Sequence, residues 1–372
     1  MSTTPAPERE TPTTMTAVRT TGEGGPASLC VGPEPVPVPG AGEVLVRVAA
    51  AGLNRADLMQ AAGTYPPPPG ESEVLGLEVS GIVVAHGPGT DPEAAGADPR
   101  AVFALGDRVC ALLAGGGYAE YAAVPLGQLM RVPDEVDLVE AAAFPEVACT
   151  VWSNLGDRAC VCPGDRVLVH GGTGGIGSFA VQYLAAVGAR VIATVGSTEK
   201  AERARILGAE ATIDHTRAVT ADGEPDFASV VRQLTDGAGV DAVLDVVGGP
   251  YLAQNVAALA PEGRIVTIAV QGGAKADSFN MMRLVAKRGW LTGSTLRSRP
   301  REEKARIVAQ TAKAVLPLVA DGRIDLAVSA RFALADAAAA HERFDSAERT
   351  GKVLLVTDPA RADSGPRAGG AR

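Results

Sequence analysis

From about residue 142 to 297 the chain repeats one pattern, a short apolar run followed by a longer amphipathic one. Arg166 to His170 (RVLVH) reads as a buried strand, and Ile176 to Val187 as a helix with apolar residues at helical spacing. Further strands are predicted at Arg190 to Val195, Ala211 to Asp214, Val240 to Val247, Arg264 to Ala269 and Trp290 to Leu296. Helices are predicted between them at Glu199 to Leu207, Phe227 to Leu234, Leu252 to Leu259 and Phe279 to Ala286. Strands separated by helices pair in parallel, because a parallel neighbour needs a crossover connection. The segment therefore predicts an α/β fold, a six-stranded doubly wound (Rossmann) parallel sheet.

The flanks have another texture. Residues 14–141 hold β-rich runs such as Val44 to Val48, Val79 to Val84 and Asp107 to Leu113, broken by clusters such as Pro66-Pro67-Pro68-Pro69-Gly70. They predict an antiparallel β domain, with Asp91 to Arg100 as a surface insertion. Residues 298–357 predict two helices and one strand, Lys352 to Val356. A lone strand is not stable, so it is expected to return to the first β domain, leaving residues 142–297 as an insert. Residues 1–13 and 358–372 have no hydrophobic period and read as solvated tails.

Hydrophobic residues make up 46% of the chain and charged residues 21%, which suits folded globular domains. The net charge is −9, without a basic stripe, which argues against nucleic acid as a partner. No apolar run reaches the roughly 18 residues of a membrane span. Cys30, Cys110, Cys149, Cys160 and Cys162 form no CxxC pair, and the odd count fits a reducing cytoplasm.

The clearest chemistry is Gly172-x-Gly174-x-x-Gly177 between a predicted strand and a predicted helix. Glycines there allow a tight turn and let backbone amides approach a pyrophosphate at the positive helix end. Gly171, Gly172, Thr173, Gly174, Gly175, Ile176 and Gly177 are the expected loop. An NAD site places an acid at the end of the second strand, about 20 residues past the first glycine. Here that strand end is Val195-Gly196-Ser197-Thr198-Glu199-Lys200, with Gly196 where the acid is expected. Gly196 leaves room for a 2′-phosphate, Ser197 can donate to it and Lys200 can neutralise it, which points to NADPH. Two readings compete: Glu199 facing the ribose, and Lys200 as a solvated helix residue.

Three runs carry a family resemblance: Ala51-Gly52-Leu53-Asn54-Arg55-Ala56-Asp57-Leu58, Gly63-Thr64-Tyr65-Pro66-Pro67-Pro68-Pro69-Gly70 and Leu75-Gly76-Leu77-Glu78-Val79-Ser80-Gly81. They resemble the medium-chain dehydrogenase/reductase superfamily. More narrowly they resemble its zinc-free quinone oxidoreductases related to ζ-crystallin, and within these the p53-inducible quinone reductase subgroup. Thr150-Val151-Trp152-Ser153-Asn154-Leu155 and Ser294-Thr295-Leu296-Arg297-Ser298-Arg299 look like the same subgroup. The resemblance covers about 15–357 and implies that the Rossmann sheet is inserted into a GroES-like catalytic domain. Where zinc-dependent relatives carry Cys, His and Cys, this chain has Asn54, Leu77 and Glu146. Leucine ligates nothing and an amide oxygen is a poor zinc ligand, so no metal is expected.

Without a Lewis acid, a quinone or other conjugated carbonyl is the easier hydride acceptor, because delocalisation carries the developing charge. The resemblance thus implies an NADPH:quinone reductase, the hydride leaving the nicotinamide for a quinone bound beside it. Asn54 is the candidate amide donor to the substrate oxygen, or else a turn-forming residue before a helix. Tyr65 either presents its ring and hydroxyl to the quinone or anchors its loop. Asp57 is expected to orient backbone or ribose rather than take a proton. Thr150 matches a position packed against the nicotinamide; Cys149 beside it reads as a small buried hydrophobe. Asp245 ends the fourth strand, where the resemblance implies a backbone near the ribose and nicotinamide, and Gln271 ends the fifth, where it is expected to meet the carboxamide. His215 stands where relatives often have a Tyr packed near the adenosine phosphate. Arg297 either steers cofactor or bridges domains, and Lys352 either touches the cofactor side or is a surface residue. The edge strand at Trp290 to Gly293 invites pairing, and the resemblance implies a homodimer joined there. Two other functions stay open, an enoyl-type reductase of α,β-unsaturated carbonyls or thioesters, and an NADPH-binding protein without turnover.

Overall fold

The computed structural model describes residues 11–90, 103–221, 223–276, 279–346 and 350–361. Of the expected tails only 11–13 and 358–361 fall in that range, and the expected insertion Asp91–Arg100 lies outside it. The chain divides into two compact units. Among the described residues, one holds those through Ala142, then Ala330–Phe344 and 353–361; the other holds those within Ala143–Ser329 and Asp345–Lys352.

In the first unit β1 (Thr14–Thr20) and β2 (Leu29–Pro35) form an antiparallel pair. Then come β3 (Glu43–Gly52), α1 (Arg55–Ala61), β4 (Glu78–His86), β5 (Arg108–Leu112), β6 (Tyr121–Pro125) and β7 (Leu129–Arg131). β3 is central, antiparallel to both β4 and β6, and register shifts at Leu45/Val46 and Val48/Ala50 mark where its pairing with β4 bulges. Gly81 of β4 is required there, because a Cβ would stand 2.1 Å from the Arg47 carbonyl oxygen. Val44, Val46, Val79, Val109 and Val124 supply the buried face of this sheet.

The second unit opens with α2 (Pro145–Val151), which runs on as a π-helical turn over Trp152–Arg158. Strand and helix then alternate: β8 (Arg166–Val169), α3 (Gly175–Ala186), β9 (Arg190–Val195), α4 (Thr198–Ile206) and β10 (Ala211–Asp214). The series continues with α5 (Phe227–Leu234), β11 (Val240–Asp245), α6 (Leu252–Ala258), β12 (Leu259–Thr267), α7 (Met281–Lys287) and β13 (Trp290–Gly293). The strand order is β10-β9-β8-β11-β12-β13, parallel throughout, so the doubly wound six-stranded sheet is present. Its order reverses between β8 and β11, the crevice where such sheets take ligands. Val167, Leu168, Val169, Val243 and Leu244 have no exposed surface, as expected when helices cover both faces.

α8 (Arg301–Ala314) and α9 (Leu316–Ala320) follow, then β14 (Val328–Ala333), α10 (Ala337–Asp345) and β15 (Lys352–Val356). β15 pairs antiparallel with β3, so the final strand does return to the β-rich sheet, whose order is β14-β15-β3-β4-β5-β7 with β6 on β3. Two details differ from expectation. Three helices stand where two were predicted, α9 being set off from α8 at Val315, two residues before Pro317. β14 was not predicted: VSARFA is short and carries Ser and two Ala, so its strand state comes from its place beside β15 rather than from propensity.

Candidate functional site

The turn from β8 into α3 is built by glycines with different tasks. Gly171 has φ 68, a left-handed conformation. Gly172 lies against β9, where a Cβ would stand 2.6 Å from that of Ala193. At Gly177 a Cβ would stand 2.1 Å from the Gly171 carbonyl oxygen, so helix and loop meet backbone to backbone. Gly172 N–H donates to Thr194 O at 3.0 Å and Gly174 N–H to Gly171 O at 3.0 Å. The amides of Gly175, Ile176 and Gly177 form the first turn of α3, where no intrahelical acceptor exists and the helix dipole favours an anion. Lys352 is 4% exposed, and its Cδ lies 3.9 Å from where a Cβ on Gly175 would sit. Its stem therefore covers the start of α3.

The strand end beside this loop carries a second group. Ser197 caps α4, its Oγ accepting the Lys200 N–H at 3.2 Å, which leaves the hydroxyl proton to donate elsewhere. His215, after β10, donates its backbone N–H to Val195 O at 3.0 Å. Its Nε2 lies 3.2 Å from where a Cβ on Gly196 would stand, so a larger residue at 196 would press on the imidazole. Gly196, Ser197, Lys200 and His215 thus gather at the carboxyl ends of β9 and β10. Glu199 is exposed in the same helical turn.

At the end of β11, Asp245 is 1% exposed. Its Oδ1 accepts from the amides of Val247 (2.8 Å) and Gly248 (3.1 Å), and its Oδ2 from Thr267 Oγ1 (3.2 Å). Three donors occupy this carboxylate, so Asp245 shapes the loop that follows it. Gln271 N–H donates to Val246 O at 3.0 Å, which lays the segment after β12 alongside. A pocket of about 240 Å³ opens here, lined by Asp245, Gly248, Leu252, Thr267, Val270 and Thr292. Arg297 follows β13 and is 4% exposed. Thr150, on α2, is 9% exposed, and its carbonyl accepts from Asn154 Nδ2 at 2.7 Å across the π-helical turn. Cys149 is fully buried, as a small hydrophobe would be.

The first unit holds the remaining site residues. Asn54 is the N-cap of α1, and its N–H donates to Asp57 Oδ2 at 2.8 Å in a reciprocal capping box. Asn54 Nδ2 donates to Glu78 Oε1 at 2.9 Å and to Gly52 O at 3.4 Å. Glu78 has no exposed surface, and a Cβ on Gly52 would stand 2.2 Å from its Oε1, so the glycine makes room for the carboxylate. Tyr118 Oη donates to Asp57 Oδ2 at 3.1 Å. Burial and the Asp57 carboxylate raise the Tyr118 phenol well above its ordinary range, so it stays a donor. Asp57 is 0% exposed and faces backbone and Tyr118. Through the capping box it orients Asn54 at the start of α1. Tyr65 is half-buried just after α1, its N–H on Met59 O at 3.2 Å. Glu78, Thr194 and Asn255 went unnoticed in the sequence. Only Glu78 left a trace there, as a carboxylate inside an apolar strand. Leu77 is packed in the core at 1% exposure. Among the described residues no three His, Cys, Asp or Glu side chains are grouped to hold a metal ion.

Residues 40–134 match the family described as alcohol dehydrogenase GroES-like domain, and residues 175–313 the one described as zinc-binding dehydrogenase. A 2-haloacrylate reductase of Burkholderia sp is 32% identical over 347 residues, 90% of this chain and 96% of that protein. A phenolphthiocerol/phthiocerol polyketide synthase of Mycobacterium tuberculosis is 34% identical over 313 residues, 84% of this chain, but the chain spans only 13% of its length. Among solved structures, a mycobacterial protein complexed with NADPH superposes with a TM-score of 0.78 at 32% identity, covering 92% of this chain and 99% of that one. A quinone oxidoreductase of Pseudomonas syringae pv. Tomato DC3000 has a TM-score of 0.78 at 31% identity, with the same coverage.

Proposed function

The chain belongs to the medium-chain dehydrogenase/reductase superfamily, and on that premise we propose that it is an NADPH-dependent, metal-independent reductase of quinones or similarly conjugated carbonyls. One observation carries the cofactor half of this reading: Gly196, Ser197, Lys200 and His215 gather beside the glycine loop, and β9 runs out at Val195 and Gly196 with no carboxylate at its end. NADPH, when bound, supplies the hydride. The first-turn amides of α3 take its diphosphate, with Lys352 beside them as the cation. Ser197, Lys200 and His215 take the 2′-phosphate, and the pocket at the ends of β11 to β13 takes the nicotinamide half. Thr150, Gln271 and Arg297 are assigned to that half as well. Asn54 and Tyr65 are the residues assigned to the acceptor oxygen; Glu78 draws one amide hydrogen of Asn54 and leaves the other on a long contact to Gly52.

The set Asn54, Leu77 and Glu146 supports chemistry without zinc, because its middle member has no donor atom. A second reading is favoured by the 2-haloacrylate reductase and the polyketide synthase segment: the electrophile is a C=C bond conjugated to a carboxyl or thioester. We assign the protein a small-molecule substrate, no nucleic acid and a cytoplasmic setting, the last on its cysteine usage. No helix among the described residues is long and apolar enough to cross a membrane. We also assign it a homodimeric state through β13.

The test is NADPH oxidation measured side by side with 1,2-naphthoquinone, a 2-haloacrylate and an enoyl thioester, with and without a chelator. Quinone turnover unaffected by chelator is expected. Turnover of the thioester or haloacrylate alone favours the second reading, and tight NADPH binding with no turnover shows a binding protein. Lys200→Glu is expected to weaken NADPH by about ten- to a hundredfold, the loss of one charged hydrogen bond, while changing NADH little. Equal weakening of both would refute the phosphate assignment.

A further inference from the structure

His170 follows β8 directly and precedes the glycine loop, is 1% exposed, and has a polar partner on each ring nitrogen. Thr194 Oγ1 on β9 accepts the Gly171 N–H at 3.1 Å. Its own proton is then left for His170 Nδ1, also at 3.1 Å. With Nδ1 accepting, Nε2 carries the ring proton and donates it to Asn255 Oδ1 on α6 at 2.7 Å. One direction of donation runs through the series, from Gly171 to Thr194 to His170, and His170 passes its own proton to Asn255. Phe227 and Tyr251 stand edge-on to the imidazole, each with centroids 4.9 Å away, and hold the plane of the ring. Asn255 Nδ2 is buried with no acceptor among the described residues, so that amide gives up a hydrogen bond to serve His170.

A residue that merely filled this space would be apolar, since Phe227 and Tyr251 already wall it. We propose that His170 is a positioning residue of the dinucleotide loop, holding the Gly171 amide onto β9 through Thr194 and thereby setting where the first-turn amides of α3 meet a diphosphate. The inference rests on the dinucleotide reading above. It adds that the loop is held by a neutral histidine in one tautomer, set just after β8 with its partners on β9 and α6. Burial pushes the imidazole pKa below its ordinary value, which keeps the neutral form in place. Gly177 transmits the position, because its close approach to the Gly171 carbonyl couples loop to helix.

The relay acts on the diphosphate, which NADPH and NADH share, so both should respond alike. The experiment is titration of the full chain with each dinucleotide, read by nicotinamide fluorescence. The variants are Thr194→Val, Thr194→Ser, His170→Phe, the double variant His170→Phe/Thr194→Val, and Val243→Ala as a core lesion in β11 outside the relay. Thr194→Val and His170→Phe are expected to weaken both dinucleotides about tenfold, while Thr194→Ser, which keeps the hydroxyl, stays within about twofold of the parent. The double variant is expected to bind within about twofold of the weaker single, because both changes cut one series. Val243→Ala is expected to lower the denaturant midpoint and leave both affinities unchanged. The proposal is overturned if Thr194→Val or His170→Phe binds as the parent does, if the losses add, if Val243→Ala weakens binding equally, or if NADPH alone is affected. A parent chain that binds neither dinucleotide overturns the underlying site assignment instead.

Discussion

His341 on α10 has no exposed surface, and neither ring nitrogen meets a hydrogen-bond partner among the described residues. Its titratable neighbour is Tyr118, edge-on at 5.8 Å and itself held neutral. Burial lowers the His341 pKa to about 4, against about 6.5 in an unfolded chain. Between those two values the unfolded state binds a proton that the folded state refuses, so acid favours unfolding. The stabilisation is complete above about pH 6.5 and is lost as the pH falls toward 4, to the extent of about 3 kcal/mol. Urea midpoints measured at about pH 7 and about pH 4.5 should therefore converge in His341→Phe, which keeps a ring against Tyr118. An unchanged gap would assign the acid sensitivity to other groups. At this scale the sequence was legible where chemistry is local. The glycine loop, Ser197 and the missing acid at Gly196 all lie within one short stretch. Glu78, Thr194 and Asn255 act through partners 24, 24 and 85 residues away, which no local spacing encodes. Asp57 was legible as an orienting group, yet its second partner, Tyr118, lies 61 residues on and shows only in the fold.

Among elements, the joint between β8 and α3 tolerates least. Gly177→Ala places a methyl where the Gly171 carbonyl stands, and neither backbone can yield without moving helix or loop. The expected outcome is a stability loss of about 1–3 kcal/mol together with at least tenfold weaker dinucleotide binding, checked by denaturant melts and titration. Gly174→Ala, where the nearest atom to a Cβ is 3.5 Å away, should cost far less and serves as the comparison. Parity between the two variants would mean that close approach at Gly177 does not set the loop. The alternation of the Rossmann sheet was legible because most of its strands hold short apolar runs and α3, α4 and α5 open behind Gly174, Ser197 and Asp226. Its strand ends were less so: β12 begins at Leu259, through Pro261 and Gly263, where the reading began at Arg264. Pairing with β11, shifted in register between Val240 and Ala242, draws those residues in, and that is a property of the sheet.

For the molecule as a whole, the open question is the bare edge of the parallel sheet. β13 is the last strand in the order, with Trp290 67% and Leu291 42% exposed. Next to it in sequence, α7 exposes Met281, Met282 and Val285. Unpaired strand edges invite pairing, and a contiguous apolar patch on a monomer marks an interaction surface. A second copy related by a two-fold axis satisfies both at once, since β13 can pair with its own copy and continue the sheet across the axis. The notion that the edge binds something else fits less well, because α7 and β13 present the same apolar character over two consecutive elements. Sedimentation at micromolar concentration should show a dimer. Trp290→Asp, which sets like charges against each other across the axis and lies outside the lining of the pocket assigned to the nicotinamide, should yield monomers that still bind NADPH. A parent chain that sediments as a monomer, or a Trp290→Asp variant that remains dimeric, would move the interface elsewhere.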